Sequence, residues 1–117
     1  MLLNLIKENL PGFVSELLSN DNYLILTHRR PDGDTLGSAA ALCLALRKLG
    51  KTAFLAGNPE VTPKYLDSVQ PYYADSTYLP ETIVSVDISA IQQFEKTQAK
   101  YQDDVTFVID HHNRNNI

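Results

Sequence analysis

Long apolar runs are missing from this chain. No stretch approaches the roughly 20 apolar residues that a membrane-spanning helix needs. The opening Met1-Leu-Leu-Asn-Leu-Ile-Lys7 lacks the basic leader, apolar centre and small-residue cleavage site of a signal peptide. Cysteine is scarce too: Cys43 stands alone, which excludes an internal disulfide. It sits in an apolar helical pattern and reads as a small buried hydrophobe. These absences lead us to expect a cytoplasmic protein with no membrane partner. Positive charge is in short supply, with 10 Lys and Arg against 14 Asp and Glu and a net charge of −4. That balance disfavours broad electrostatic binding to a polyanion. A phosphate-ester substrate would need bound cations or a local basic pocket to offset its charge.

Familiar catalytic signatures are missing as well. There is no Gly-x-x-x-x-Gly-Lys-Ser/Thr phosphate loop and no Gly-x-Ser-x-Gly nucleophile elbow. Gly33 and Gly37 do not match the dinucleotide fingerprint. What is present is an ordinary globular composition, 44% hydrophobic and 21% charged over 117 residues, enough for one domain with a real core.

Leu2, Leu3, Ile6, Leu10, Phe13, Val14, Leu17 and Leu18 follow the helical period, interrupted by Pro11-Gly12. Asn20-Asp-Asn22 predicts a turn, and Tyr23 to His28 a buried parallel strand. Thr35 to Leu49 reads as a helix stopped by Gly50. Its small residues Gly37, Ser38, Ala39, Ala40 and Ala41 predict close packing on a sheet. Lys51 to Ala56 suits a second strand, completing a right-handed βαβ unit. Thr62-Pro63 predicts a cap and first helical residue for a short helix ending before Pro71. Thr82 to Asp87 and Val105 to Asp110 are two more strands, with a polar, weakly amphipathic helix expected over Ile91 to Ala99. The fold class is therefore α/β, a parallel sheet with helices on both faces.

Ligands of such sheets bind beyond the carboxyl ends of the strands. His28, Asp87 and Asp110 each end a predicted strand, and His111 and His112 follow at once. His28, Asp32 and Asp34 share a strand-to-helix turn that Pro31 stiffens and Gly33 lets follow a tight path. Either acid alone could simply cap the helix. Two acids, a histidine and three converging segments exceed what capping requires. Carboxylates and imidazoles without thiolates suit Mn²⁺ and also accept Mg²⁺, Co²⁺ or Zn²⁺. Two such ions about 3.5–4 Å apart can share a carboxylate and polarise phosphoryl oxygens. Asp110 can instead orient an imidazole. Arg29 and Arg30 can contact a phosphate, although solvated surface arginines are the blander reading.

These segments resemble the DHH phosphoesterase family, in particular its oligoribonuclease (nanoRNase) and 3′-phosphoadenosine 5′-phosphate phosphatase branch. The matching stretches are Thr27-His-Arg-Arg-Pro-Asp-Gly-Asp-Thr-Leu-Gly-Ser38, Val84-Ser-Val-Asp87 and Val108-Ile-Asp-His-His112. The resemblance implies a five-stranded parallel domain followed by a smaller substrate-gripping domain. It implies that His28 and Asp32 hold one divalent metal, most often Mn²⁺, and that Asp34 and His111 hold the other. Asp87 would bridge the pair, His112 would lie toward the substrate, and Asp110 would support the imidazoles.

The implied function is hydrolysis of short oligoribonucleotides or 3′-phosphoadenosine 5′-phosphate at that dinuclear centre, with homodimerisation compatible. A manganese pyrophosphatase, a cyclic-dinucleotide phosphodiesterase and a non-catalytic domain of the same fold are the alternatives. The family also needs a later acidic ligand. Asp103 and Asp104 precede the last strand and belong at its far end, so they are poor substitutes. The expectation is that residues 1–117 form the N-terminal part of a longer enzyme, lack its C-terminal domain and have little activity alone.

Overall fold

In a computed structural model of the chain, residues 12, 14–86, 88 and 94–109 are described. Four strands form one sheet in the order β2-β1-β3-β4: β1 is Tyr23–Thr27, β2 Ala53–Leu55, β3 Thr82–Val86 and β4 Val105–Ile109. All three pairings are parallel. Every residue of β1 and β3 is buried, as expected of central parallel strands covered on both faces. The chain places β2 on one side of β1 and β3 on the other. The connection therefore reverses direction between the exits of β1 and β3, the position where open α/β sheets bind ligands.

Alternate side chains feed two cores. Tyr23, Ile25, Val84 and Val86 pack with Leu36, Ala39, Cys43 and Leu46 of helix α2 (Gly33–Lys48), with Val69 of α3 (Pro63–Val69) and with Leu17 of α1 (14–19). Leu24, Leu26 and Ile83 face the other way, toward Phe94, Tyr78 and Tyr101. A 3-10 helix, Ala99–Asp104, lies on the approach to β4. Cys43 is buried as expected, and that burial pushes its thiol pKa up.

Local chemistry explains the boundaries. Helix α2 begins at Gly33, two residues before the predicted start, because Asp32 occupies the N-cap and accepts from the Thr35 amide at 2.9 Å. Its end follows the prediction. Gly50 adopts φ +85, its amide reaches the Arg47 carbonyl, and the Lys51 amide reaches the Leu46 carbonyl. Those two bonds close a Schellman cap. Thr62 precedes Pro63 at the start of α3 as expected, but its side chain makes no capping bond.

Two expectations fail. Gly37 is exposed with nothing near its absent Cβ, so Ala39 is the small residue that meets the sheet. Residues 94–98 of the predicted Ile91 to Ala99 helix are not helical, and residues 91–93 lie outside the described chain. Phe94 instead bridges His28, while Glu95 and Gln98 are 1% exposed. Gln98 turns inward because backbone groups at the strand exits need partners. Its Oε1 accepts from the Thr27 amide at 3.1 Å, and its Nε2 donates to the Gly57 carbonyl at 2.9 Å.

The Tyr23 hydroxyl donates to the Leu17 carbonyl at 2.6 Å, tying α1 to the sheet from inside the core. Burial, with Asp21 and Glu16 adding negative charge, pushes its pKa up to about 12. Tyr23→Phe should cost about 1–1.5 kcal/mol, the usual worth of one intramolecular hydrogen bond. Urea denaturation checks this, and the loss should be confined to the midpoint with an unchanged slope.

Candidate metal centre at the exit of the first strand

The C-terminal residues of three strands stand side by side. Thr27 is in register with Val86, and Val86 with Ile109. His28 leaves β1 at this level. Its Nδ1 lies 2.7 Å from the Arg29 carbonyl oxygen, and its Nε2 lies 3.2 Å from the Thr35 hydroxyl. A carbonyl only accepts, so Nδ1 carries a proton, and the neutral form of such a ring has its lone pair on Nε2. The tautomer is inferred from this network. It is the one that leaves Nε2 as an acceptor, here toward the Thr35 hydroxyl, with the other ring nitrogen held by a backbone oxygen.

Asp32 and Asp34 flank Gly33 at the start of α2. Asp32 is exposed and caps the helix through Oδ1. Capping does not exhaust a carboxylate, whose two oxygens offer about four lone-pair directions. The Thr35 amide bond outweighs the opposing effect of burial and holds the Asp32 pKa below its ordinary value, with His28 contributing in the same direction. Asp34 lies in the first turn of α2, where a negative charge also complements the helix dipole.

Gly33 has a different reason from the predicted tight path. Its φ is not among the positive ones. A Cβ there would sit 3.0 Å from the Tyr65 ring and hydroxyl, so glycine makes room for α3 to press its aromatic ring onto the turn.

Residues not singled out in the sequence hold the loop from β2's side. Asn58, which is 4% exposed, donates from Nδ2 to the Thr27 hydroxyl at 2.9 Å and the His28 carbonyl at 3.1 Å. Its Oδ1 accepts from the Glu60 amide at 2.9 Å. The Glu60 carboxylate accepts from the Arg30 amide at 2.9 Å, at a residue with φ +49. A signal for these residues exists, since Gly57-Asn58-Pro59-Glu60 follows β2 and so leaves the same edge of the sheet.

Arg29 and Arg30 are both exposed. The expected site residues Asp87, Asp110, His111 and His112 lie outside the described residues. Among the described residues, no three His, Cys, Asp or Glu side chains are grouped closely enough to hold a metal ion. His28, Asp32 and Asp34 lie on the same turn but do not form such a group. Asp103 and Asp104 lie just before β4 begins, at the opposite edge from His28, as expected.

Asp32→Asn separates capping from charge, because asparagine also caps well. Stability near neutral pH should change by no more than about 0.5 kcal/mol, whereas Asp32→Ala should lose about 1 kcal/mol. The sign of the pH dependence follows from the depressed pKa: the carboxylate's contribution is present above the unfolded value of about 3.9 and fades as pH falls through the folded one. Thermal melts from pH ~6 down to pH ~2 should show this acid-dependent loss in the parent and a smaller one in Asp32→Asn.

Comparison with known proteins identifies the family. The model of the DHH family, N-terminal domain, matches residues 22–117. The bifunctional oligoribonuclease and PAP phosphatase NrnA of Thermus thermophilus is 37% identical over 65 residues, covering 54% of this chain and 20% of that relative. The match thus spans about a fifth of the relative's length. With a parallel α/β sheet, a His28-to-Asp34 turn at its carboxyl edge and a family match over most of its length, this chain belongs to the DHH family.

Proposed function

We propose that this chain carries the metal-binding part of a phosphoesterase that hydrolyses short oligoribonucleotides or 3′-phosphoadenosine 5′-phosphate. The observation that carries the reading is the level register Thr27–Val86–Ile109. The residues that follow in sequence are His28, Asp87 and Asp110, which in this reading would bring polar groups from three strands to one edge. The kinship with an oligoribonuclease and PAP phosphatase supports the substrate class.

His28 and Asp32 would hold one divalent ion and Asp34 and His111 the other, with Asp87 between them; Mn²⁺ is the ion best suited to these donors. When bound, such ions supply positive charge for the phosphoryl oxygens and lower the pKa of the attacking water. The Nδ1-protonated ring of His28 matches the need for a neutral nitrogen donor at Nε2. Asp32, kept ionised by the Thr35 amide, matches the need for an anionic oxygen. Asp110 would orient the imidazoles, and His112 would hydrogen-bond or protonate the departing oxygen. Arg29 and Arg30, exposed beside the turn, would meet the substrate's phosphates. Bound cations would offset the carboxylates there, since a net charge of −4 gives no broad attraction for a polyanion.

The test uses the natural full-length protein with Mn²⁺ and a panel of two- to five-nucleotide RNAs, 3′-phosphoadenosine 5′-phosphate, pyrophosphate and a cyclic dinucleotide. The expected result is preferential turnover of the first two substrate types, abolished by chelation. Asp87→Ala should lower that turnover by about 100-fold or more, beyond the effect of losing an outer-shell partner. Preference for pyrophosphate or the cyclic dinucleotide would redirect the substrate assignment. Full activity in Asp87→Ala would remove the dinuclear mechanism.

A further inference from the structure

We infer that Glu60 is a positioning residue for His28, acting through the peptide that joins Arg29 to Arg30. The inference rests on the proposed reading of His28 as a metal ligand and extends it to a residue on a different segment.

The geometry is a relay of two hydrogen bonds across one peptide plane. On one side, the Glu60 carboxylate accepts from the Arg30 amide at 2.9 Å. On the other, the Arg29 carbonyl accepts from His28 Nδ1 at 2.7 Å. The Arg29 carbonyl and the Arg30 amide belong to the same trans peptide, so they point in opposite directions from a rigid plane. Fixing the amide toward Glu60 therefore aims the carbonyl at the imidazole. A carboxylate on the amide hydrogen also polarises the peptide and makes its carbonyl a stronger acceptor.

Two observations indicate that this plane needs holding. Arg30 occupies the left-handed region at φ +49, which a residue with a Cβ adopts at a cost. The preceding His28 carbonyl is itself gripped by Asn58 at 3.1 Å, and the Asn58 side chain accepts from the Glu60 amide. One short segment after β2 thus constrains the peptides on both sides of Arg29. The outcome is a carboxylate–histidine arrangement in which a backbone peptide lies between the two side chains. Direct carboxylate partners of metal-binding imidazoles set tautomer and basicity in the same way.

The experiment reads the ring directly, without metal. Histidine-selective ¹⁵N labelling and long-range ¹H–¹⁵N correlation, at an alkaline pH where imidazoles are neutral, report which nitrogen holds the proton. His28→Ala identifies the His28 signals among the three histidines. We expect the Nδ1-protonated form to dominate in the parent. Glu60→Ala should convert it to a mixture with the Nε2-protonated form, while Glu60→Gln, which keeps an acceptor for the Arg30 amide, should stay close to the parent. Mn²⁺ affinity by calorimetry should fall roughly 10-fold in Glu60→Ala, the lower end for losing an outer-shell partner, and less in Glu60→Gln.

An unchanged tautomer in Glu60→Ala overturns the inference. If Glu60→Ala loses its far-ultraviolet circular dichroism, Glu60→Asp, which is too short to reach the Arg30 amide, replaces it with the same expected shift. Loss of structure in both variants also overturns it, since Glu60 would then serve folding in general. His28→Ala separates the two levels: unchanged Mn²⁺ affinity there sinks the metal reading, whereas the tautomer result judges the relay on its own.

Discussion

Parallel strands leave their last backbone groups without ladder partners, and a sheet whose carboxyl edge stays open to solvent cannot simply bury them. In this chain the difficulty is met by two buried amides. Gln98 closes the Thr27 amide and the carbonyls of Ala56 and Gly57, and Asn58 closes the His28 carbonyl and the Thr27 hydroxyl. An unpaired buried polar group costs on the order of 1–3 kcal/mol. Each amide here answers several such groups at once. With those bonds in place, the first residues beyond β1 follow a defined path while remaining open to solvent.

The two sides of the sheet contribute differently to that path. On the α2 side, close aliphatic packing fixes the helix, and the helix fixes Asp32, Asp34 and Thr35 relative to β1. On the opposite side, Phe94 bridges His28 while the buried Gln98 reaches across to two strands. The aromatic ring of Tyr65 presses on Gly33 from α3. The turn from His28 to Asp34 is therefore held from β2's exit, from α3 and from the segment before β4. A loop so constrained loses little further entropy when it takes up a ligand, which is the physical meaning of preorganisation.

What could be read in the sequence follows from which signals are local. All four strands were legible, because buried parallel strands are short apolar runs rich in branched residues. The Gly50 stop was legible because a left-handed residue after a helix favours glycine. The start of α2 was misplaced by two residues because Asp32 was weighed as a ligand or a cap, and the two roles do not exclude each other. Gly33 was misread because what it accommodates, the Tyr65 ring, comes from more than 30 positions away in sequence. Glu95 and Gln98 fit a polar, weakly amphipathic helix by pattern because polarity signals solvent, whereas both are buried: Gln98 pairs with backbone groups at the strand exits, and Glu95 accepts from the Thr97 amide and hydroxyl. Asn58 and Glu60 carry no catalytic motif and become meaningful only through distances to His28 and Arg30. Of the proposed site, His28, Asp32 and Asp34 can be followed from sequence into geometry, and Asp87, Asp110, His111 and His112 cannot.

The ladder between β3 and β4 is irregular at one point. Ile83 pairs with Val105 but Val84 pairs with Phe107, so Thr106 is an extra residue in the edge strand. Beyond it the two strands march in step to Val86 and Ile109. Because side chains alternate at each position and each adds about 3.3 Å of rise, this single kink is what brings Phe107 to Ile109 back into phase with Val84 to Val86. With the kink taking up Thr106, Phe107 and Ile109 meet the same core as Val84 and Val86, just as they would in a regular strand one residue shorter. Thr106, facing solvent, is thus a surplus that the ladder bows out to tolerate, and a chain without it would keep every pairing from Phe107 to Ile109.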